Sequence, residues 1–506
     1  MPKADALLNQ GLAHHRAGRP GAAEPYYRAA LAARPGDADA QHLLGVALHH
    51  QGHHAAARPP LERACHARPD QPVYAASLAR LCLEAGDQAR AEAILRQALR
   101  LRPDDVDLRH DLGRAVLGQG RTDEAEALLR QGLAEFPCHP GLCGTLGLLL
   151  RADGRIAAAL PLLERAADPG DADSLNQFGL ALTDTGALDA AIARFDAALA
   201  LAPGHADAAY NRATALLLAG RLLDGWPGFE QRWQRRGHRP PWRTTAPLWL
   251  GEPTGEATLL LHADQGIGDT IQMARFLPAL ASRHRLHIAV HRTLLTLLRP
   301  LAEGASWRAI EDDLPLTDLQ LPMMSLPHRM GIDLPHLPGP LPYLGAEAAA
   351  AAHWRDRLAV HPGPRIGLAW RGNPAYPADA ARSLGPCQVA ALAGMPGLTL
   401  VSLQPGLAAP PPLLDWTAEL TDMAATAALV AGLDLVITVD TAIVHLAGAL
   451  GRPVWLLNRF TPCWRWMLHR EDSPWYPTLR QFRQPAPGDW ASVMARVMAA
   501  LQRLLG

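Results

Sequence analysis

Within Val436–Val454 (VITVDTAIVHLAGALGRPV), Asp440, Thr441 and His445 bring a carboxylate, a hydroxyl and an imidazole into one short stretch. The apolar run before Asp440 reads as a strand, and from Thr441 the spacing turns helical. A strand that passes straight into a helix leaves the N–H groups of Thr441 and Ala442 pointing out of the sheet, at the positive end of the helix dipole. Open α/β sheets bind ligands at that edge. A diphosphate fits there without a metal. Thr441 can donate its hydroxyl, and Asp440 can cap the turn or accept from a sugar hydroxyl. His445 falls one turn on, facing the same way. The plainer alternative is an Asp cap with a core-facing histidine.

A second group is Ala263–Thr270 (ADQGIGDT), between an apolar run at Thr258–His262 and a helical pattern over 271–281. Asp269, beside Gln265, Gly266 and Gly268, stands at a glycine-flanked strand end. There a carboxylate can take the proton of an attacking hydroxyl, or simply cap the turn. Lys3 is the only lysine. A lysine nucleophile or Schiff base is therefore excluded from the second half. An anion site there must use arginine, histidine or backbone N–H groups.

The elements that position these groups follow from the pattern. Strands are expected at Thr258–His262, Leu286–Val290, Arg365–Trp370, Leu398–Leu403, Asp434–Val439 and Pro453–Leu457, with helices at Ala346–Val360, Thr441–Leu450 and Trp490–Leu505. Apolar strands alternating with helices mean parallel sheets covered on both faces. A proline-rich stretch over 322–342 separates two such blocks, so two facing Rossmann-like domains are expected.

The first half has a different rhythm. Gly18, Gly52, Gly86, Gly120 and Gly154 recur every 34 residues, and Gly186 and Gly220 resume after a slip of two. Prolines keep the beat at Pro35, Pro69, Pro103, Pro137, Pro169 and Pro203. Gly120 to Pro137 is 17 positions but Gly154 to Pro169 only 15, so the fifth unit has lost two residues from its second helix or that helix's end. Such a period marks a stacked helix–turn–helix array with a binding groove. The Asp-x-Asp matches (Asp37/Asp39, Asp105/Asp107, Asp171/Asp173) fall where helices begin and read as caps, not metal ligands. None lies at a strand end in the second half. His49 and His53 have ligand spacing only if the helix runs through Gly52, so they read as exposed turn histidines. Residues 225–250 carry Trp226, Trp233, Trp242 and Trp249, too many for a flexible linker, and read as a packed junction.

Composition narrows the classes. The net charge is −1 at pH 7 with no basic block, which argues against nucleic acid as the main ligand. No run of 18 apolar residues predicts a membrane span. The N-terminus shows no signal-peptide core, and the six scattered cysteines read as reduced, so a cytoplasmic location is expected.

The 34-residue pattern, with small residues at Gly11, Ala23, Ala30, Gly45, Ala57 and Ala64, resembles the tetratricopeptide repeat family over about seven units. Asp440-Thr441-Ala442…His445-Leu446-Ala447-Gly448 resembles the nucleotide-sugar motif of family 9, heptosyltransferase-like glycosyltransferases. Gly266-Ile267-Gly268-Asp269 resembles their acceptor-side loop. Together with Trp370-Arg371-Gly372-Asn373-Pro374, Arg382-Ser383-Leu384 and Asp472–Pro477, the whole is similar to bacterial repeat-containing glycosyltransferases, which are compared with protein O-glycosyltransferases, flagellin-modifying ones included. The resemblance implies an N-terminal all-α tetratricopeptide-repeat solenoid over 1–238 and a C-terminal α/β GT-B half. That half comprises an acceptor-side Rossmann-like domain over 239–345 and a nucleotide-sugar domain over 346–506. It implies metal-independent, inverting transfer without a cofactor. It makes Asp269 the general base and Arg371, Asn373, Arg382, Gln404, Asp440, Thr441, Ala442 and His445 the donor site, with Gln265, Gly266 and Gly268 on the acceptor loop. The family's lysine near the donor phosphates is missing here, so Arg371 or Arg382 takes that place. The asparagine ladder of the protein glycosyltransferases becomes Asn9, Leu43, Ser77, Asp111, Thr145, Gln177 and Asn211.

Three readings remain at this point: transfer to a protein acceptor recruited by the repeats, transfer to lipopolysaccharide or another glycan, and an inactive binding scaffold. Donor sugar, base, acceptor and oligomeric state are left open.

Overall fold

The computed structural model describes residues 2–235, 237–238, 244–338, 341–375 and 379–505. Trp242 of the expected junction lies outside them. Contacts divide the chain into two compact units, Met1–Ala181 and Leu182–Gly506.

The first unit is built of paired helices. Each turn glycine of the array holds a left-handed backbone, with φ from 70° at Gly18 to 81° at Gly186 and Gly220. A side chain is strained there and glycine is not. The glycine closes the first helix of each pair: the Gly52 N–H bonds the His49 carbonyl, and the His53 N–H reaches back to Leu48. The expected slip of two is visible as a helix shorter by three, Ile156–Ala166 with 11 residues against Thr122–Glu135 with 14, followed by a connection longer by one, 167–171 against 136–139. Asp37, Asp105 and Asp171 cap helices, accepting from Ala40, Leu108 and Ser174 N–H groups.

The second unit begins inside the helix Ala172–Asp184 and keeps the repeat helices Leu188–Leu201 and Ala206–Leu218. Two parallel sheets follow. The first contains β1 (Thr258–His262), β2 (Arg285–Val290), β3 (Ser306–Ala309) and β4 (Leu319–Pro322), in the order β3-β2-β1-β4. The second contains β5 (Arg365–Ala369), β6 (Thr399–Ser402), β7 (Leu435–Val439), β8 (Val454–Asn458) and β9 (Leu479–Arg483), in the order β6-β5-β7-β8-β9. Every pairing is parallel. Ile366, Leu368, Leu435, Ile437 and Val439 of the second sheet share a core with Val493, Val497 and Leu501 of the helix Trp490–Leu505. The helical pattern over 271–281 is two helices, Ile267–Ala274 and Leu277–Ala281, the second opening with Pro278 in its first turn.

The tryptophan-rich segment is packed where it is described. Trp226 is buried and donates its indole N–H to the Ile332 carbonyl at 2.8 Å. Its ring meets Trp464 edge-on at 5.3 Å. The Arg232 guanidinium pairs with Asp264 at 3.0 Å, both side chains buried. Met324 N–H also bonds Asp264, so this carboxylate anchors the loop after β1 to the junction.

Candidate functional site

Both chemical motifs sit at the C-terminal ends of strands, β1 and β7, each followed by a helix. The two helix starts meet. A Cβ added to Gly268 would lie 2.8 Å from His445 Cδ2 and 3.2 Å from Ala442 Cα. Only glycine permits that approach, so one hydrogen at position 268 lets the acceptor-side loop touch the Ala442–Ala449 helix.

Thr441, not Asp440, caps that helix: its hydroxyl oxygen accepts from the Ile443 N–H at 3.3 Å. Asp440 is thereby released from capping and stays partly exposed. Burial raises its pKa, opposed by the Trp466 indole and the guanidiniums of Arg465, Arg382 and Arg459. Arg382 donates Nη1 to the Asp440 carbonyl at 2.8 Å while Asp379 holds its Nε at 2.9 Å. A fixed cation thus stands beside the strand–helix junction. His445 is 4% exposed, bonds the Tyr476 hydroxyl at 3.0 Å and stacks on Trp466. Burial, with Arg465 and Arg275 nearby, holds its pKa well below the usual value, so the imidazole is neutral. It acts here as packing against Gly268.

Asp269 both caps and pairs. Its Oδ2 accepts the Gly266 N–H at 2.9 Å, and its Oδ1 takes Arg465 Nη2. Its side chain is 23% exposed, and each carboxylate oxygen keeps a lone pair for a further proton donor. Thr270 bonds back to the Gly266 carbonyl, and His291 to that of Gln265.

Of the remaining expected donor residues, Arg371 and Asn373 lie in the loop after β5, and Gln404 reaches that loop from the end of β6. Gln404 accepts the N–H groups of Trp370 and Arg371 at 3.2 and 2.9 Å, and Asn373 accepts the Ala375 N–H. Both carboxamides shape the loop. Arg371 is exposed and lines a pocket of about 760 Å³ with Trp370, Ser383 and Leu407.

Arg465 was missed from the sequence. It is buried, donates Nε to Gln272 at 2.6 Å and Nη1 to the Cys463 sulfur at 2.9 Å, and lies over the Trp464 ring. Burial works against its charge, and Asp269, with Cys463 and Asp440, more than restores it. It ties the loop after β1 to the segment after β8. The available signal was an arginine flanked by two tryptophans in a chain whose only lysine is Lys3.

The chain joins helical repeats to two parallel sheets whose strand–helix junctions meet at Gly268. Tetratricopeptide repeat models match residues 83–140, and 3–72 with 176–237. Glycosyltransferase family 9 (heptosyltransferase) matches residues 418–483, which include β7, Asp440, His445 and Arg465. The chain therefore combines tetratricopeptide repeats with a family-9-like glycosyltransferase region. It is similar to protein FlbA of Caulobacter vibrioides, with 29% identity over 372 residues, 63% of this chain and 59% of the length of FlbA. Among solved structures, MamA (MSR-1 C2) aligns at 26% identity and a TM-score of 0.28, covering 32% of this chain and 93% of its own. Pseudomonas aeruginosa pilF aligns at 19% identity and 0.36, covering 41% and 95%. Among the described residues no helix is long and apolar enough to cross a membrane.

Proposed function

We propose that the second unit transfers a sugar, with inversion and without a metal, from a nucleotide-sugar to a serine or threonine hydroxyl of a protein that the repeats recruit. The observation that supports this most is the contact of Gly268 with Ala442 and His445. It puts a candidate base, Asp269, and a candidate diphosphate edge at one place. Loss of a nucleoside diphosphate develops negative charge on the leaving phosphate. The N–H groups at the start of the Ala442–Ala449 helix and the Arg382 guanidinium offset that charge. Asp269 accepts the proton of the attacking hydroxyl through a lone pair that neither Gly266 nor Arg465 uses. The pocket beside Trp370 and Arg371 has room for the nucleoside.

The test is Asp269→Asn, which keeps the shape and an acceptor for the Gly266 N–H. Turnover should fall by about 10²–10⁴ while nucleotide affinity changes little. Equal turnover in both proteins removes Asp269 from the chemistry. Transfer to a soluble saccharide alone, and never to a protein, replaces the protein-acceptor reading with the glycan one. Turnover should also survive EDTA. Loss on chelation with recovery on adding manganese overturns the metal-independent step.

A further inference from the structure

Three helix ends in the first unit gather ligand-bearing side chains. His49 lies in the last turn of Ala38–His50, His54 opens His54–Ala67, and Glu84 closes Pro72–Glu84. The left-handed turn at Gly52, with φ 77°, folds the first two helices back on each other. That turn rules out the His49/His53 pairing read along one helix. It brings His54 to His49 instead, with ring centroids 5.4 Å apart. Glu84 arrives from the next repeat, 35 positions after His49.

The donor atoms converge on one oxygen. His49 Nε2 is 2.7 Å from Glu84 Oε2, and His54 Nδ1 is 3.9 Å from that same atom. All three donor atoms lie within 4.8 Å of one another. Ligands at about 2.1 Å around a tetrahedral ion are about 3.4 Å apart. The two distances to Glu84 Oε2 bracket that spacing. The His54 and Glu84 side chains are 46% and 50% exposed, so both can shift by a fraction of an ångström without disturbing the core.

We propose that His49, His54 and Glu84 form a binding site for a divalent transition-metal ion of the zinc class. Two imidazole nitrogens and one carboxylate oxygen suit zinc, cobalt or nickel. Magnesium and calcium prefer all-oxygen sets. Water completes the coordination at this open surface. The ligands come from two consecutive repeats, so a bound ion ties the Ala38–Ala67 pair to the Pro72–Glu84 helix. The ion binds the folded array and not the separated helices, which stabilises the array by mass action. The site does not rest on the proposed sugar transfer, and its test stands whether or not the chain is a transferase.

The experiment uses the full chain without a histidine tag, stripped with EDTA and then dialysed free of it. Equilibrium dialysis against zinc should show binding at micromolar concentration or tighter, with a rise in the melting temperature of the repeat transition. His54→Ala and Glu84→Gln should each remove one zinc equivalent, and cobalt should give visible absorption bands that both variants lose. His53→Ala, one position away, should bind like the wild type. Equal zinc stoichiometry and affinity in the wild type and in both ligand variants overturns the site. So does a wild type that binds no zinc, or that binds magnesium as well as zinc. The variants change exposed side chains, and their circular dichroism at 20 °C checks that loss of metal is not loss of fold.

Discussion

At Arg465 one guanidinium holds together groups from two distant stretches of sequence. It pairs with Asp269, donates to Gln272 and favours the charged form of Asp440. Removing this guanidinium leaves the buried Gln272 and the partly exposed Asp269 without their partner, at a cost of about 1–3 kcal/mol. Arg465→Gln should therefore lower the melting temperature of the second unit by several degrees in calorimetry, and lower donor turnover further than that loss explains at 20 °C. A variant as stable and as active as the wild type would remove Arg465 from the site. Histidines carry the pH dependence. Burial lowers the pKa of His110 and of His262 to about 4 and that of His445 well below its usual value. The unfolded chain takes up these protons near pH 6.5, the folded chain only at lower pH. Their contribution is complete above about pH 6.5 and is lost as the pH falls toward 4. Asp264 and Asp440, raised by burial, act in the opposite sense. His110 bonds Thr145 at 2.8 Å, a bond glutamine can keep. His110→Gln should lose about 1–2 kcal/mol less stability than the wild type between pH 7 and 5, read from urea melts. An identical drop in both proteins refutes this.

Among the elements, the Ile267–Ala274 and Ala442–Ala449 helices matter most, because their starts touch through Gly268. Gly268→Ala must push apart a packed histidine and a backbone atom, a strain of about 1–3 kcal/mol. Transfer should fall at least tenfold, with a smaller loss of nucleotide affinity. Wild-type activity in this variant would show that the contact is incidental. Much of this level could be read in advance. Strand–glycine–helix punctuation placed β1, β7 and the helices after them, and the 34-residue beat placed every turn glycine. The shortened Ile156–Ala166 helix followed from two missing positions. Other features resisted. Thr441 rather than Asp440 became the cap, a choice set by one residue of helix register that periodicity cannot resolve. β3, β4 and β9 are too short or too mixed to stand out from their surroundings. The ladder positions Ser77 and Thr145 are bonded by His42 and His110 of the preceding repeat, contacts created by stacking and invisible to local pattern. His49 and Glu84 meet for the same reason.

For the whole molecule, the division at Ala181 and Leu182 leaves the last repeat helices with the sheets. Thr461 bonds the Asp184 carbonyl, the Leu468 N–H reaches Leu218, and Trp226 packs on Trp464, so this part of the array is built into the second unit. A chain lacking residues 1–170 keeps the helix Ala172–Asp184 intact. It should fold, bind nucleotide and hydrolyse donor slowly. Transfer to a protein acceptor should collapse, because an acceptor held by the repeats meets the site at a raised effective concentration. Undiminished protein glycosylation by the truncated chain contradicts recruitment. On the proposed function a nucleotide-sugar binds with its diphosphate at the Asp440–Ala442 junction. Calorimetric titration of the full chain with UDP, GDP, ADP, dTDP and CMP in EDTA measures that binding. At least one nucleoside diphosphate should bind, and Asp440→Asn and Arg382→Gln should each weaken it by about tenfold or more, about 1.4 kcal/mol. No binding at millimolar nucleotide, or unchanged affinity in both variants, would contradict it.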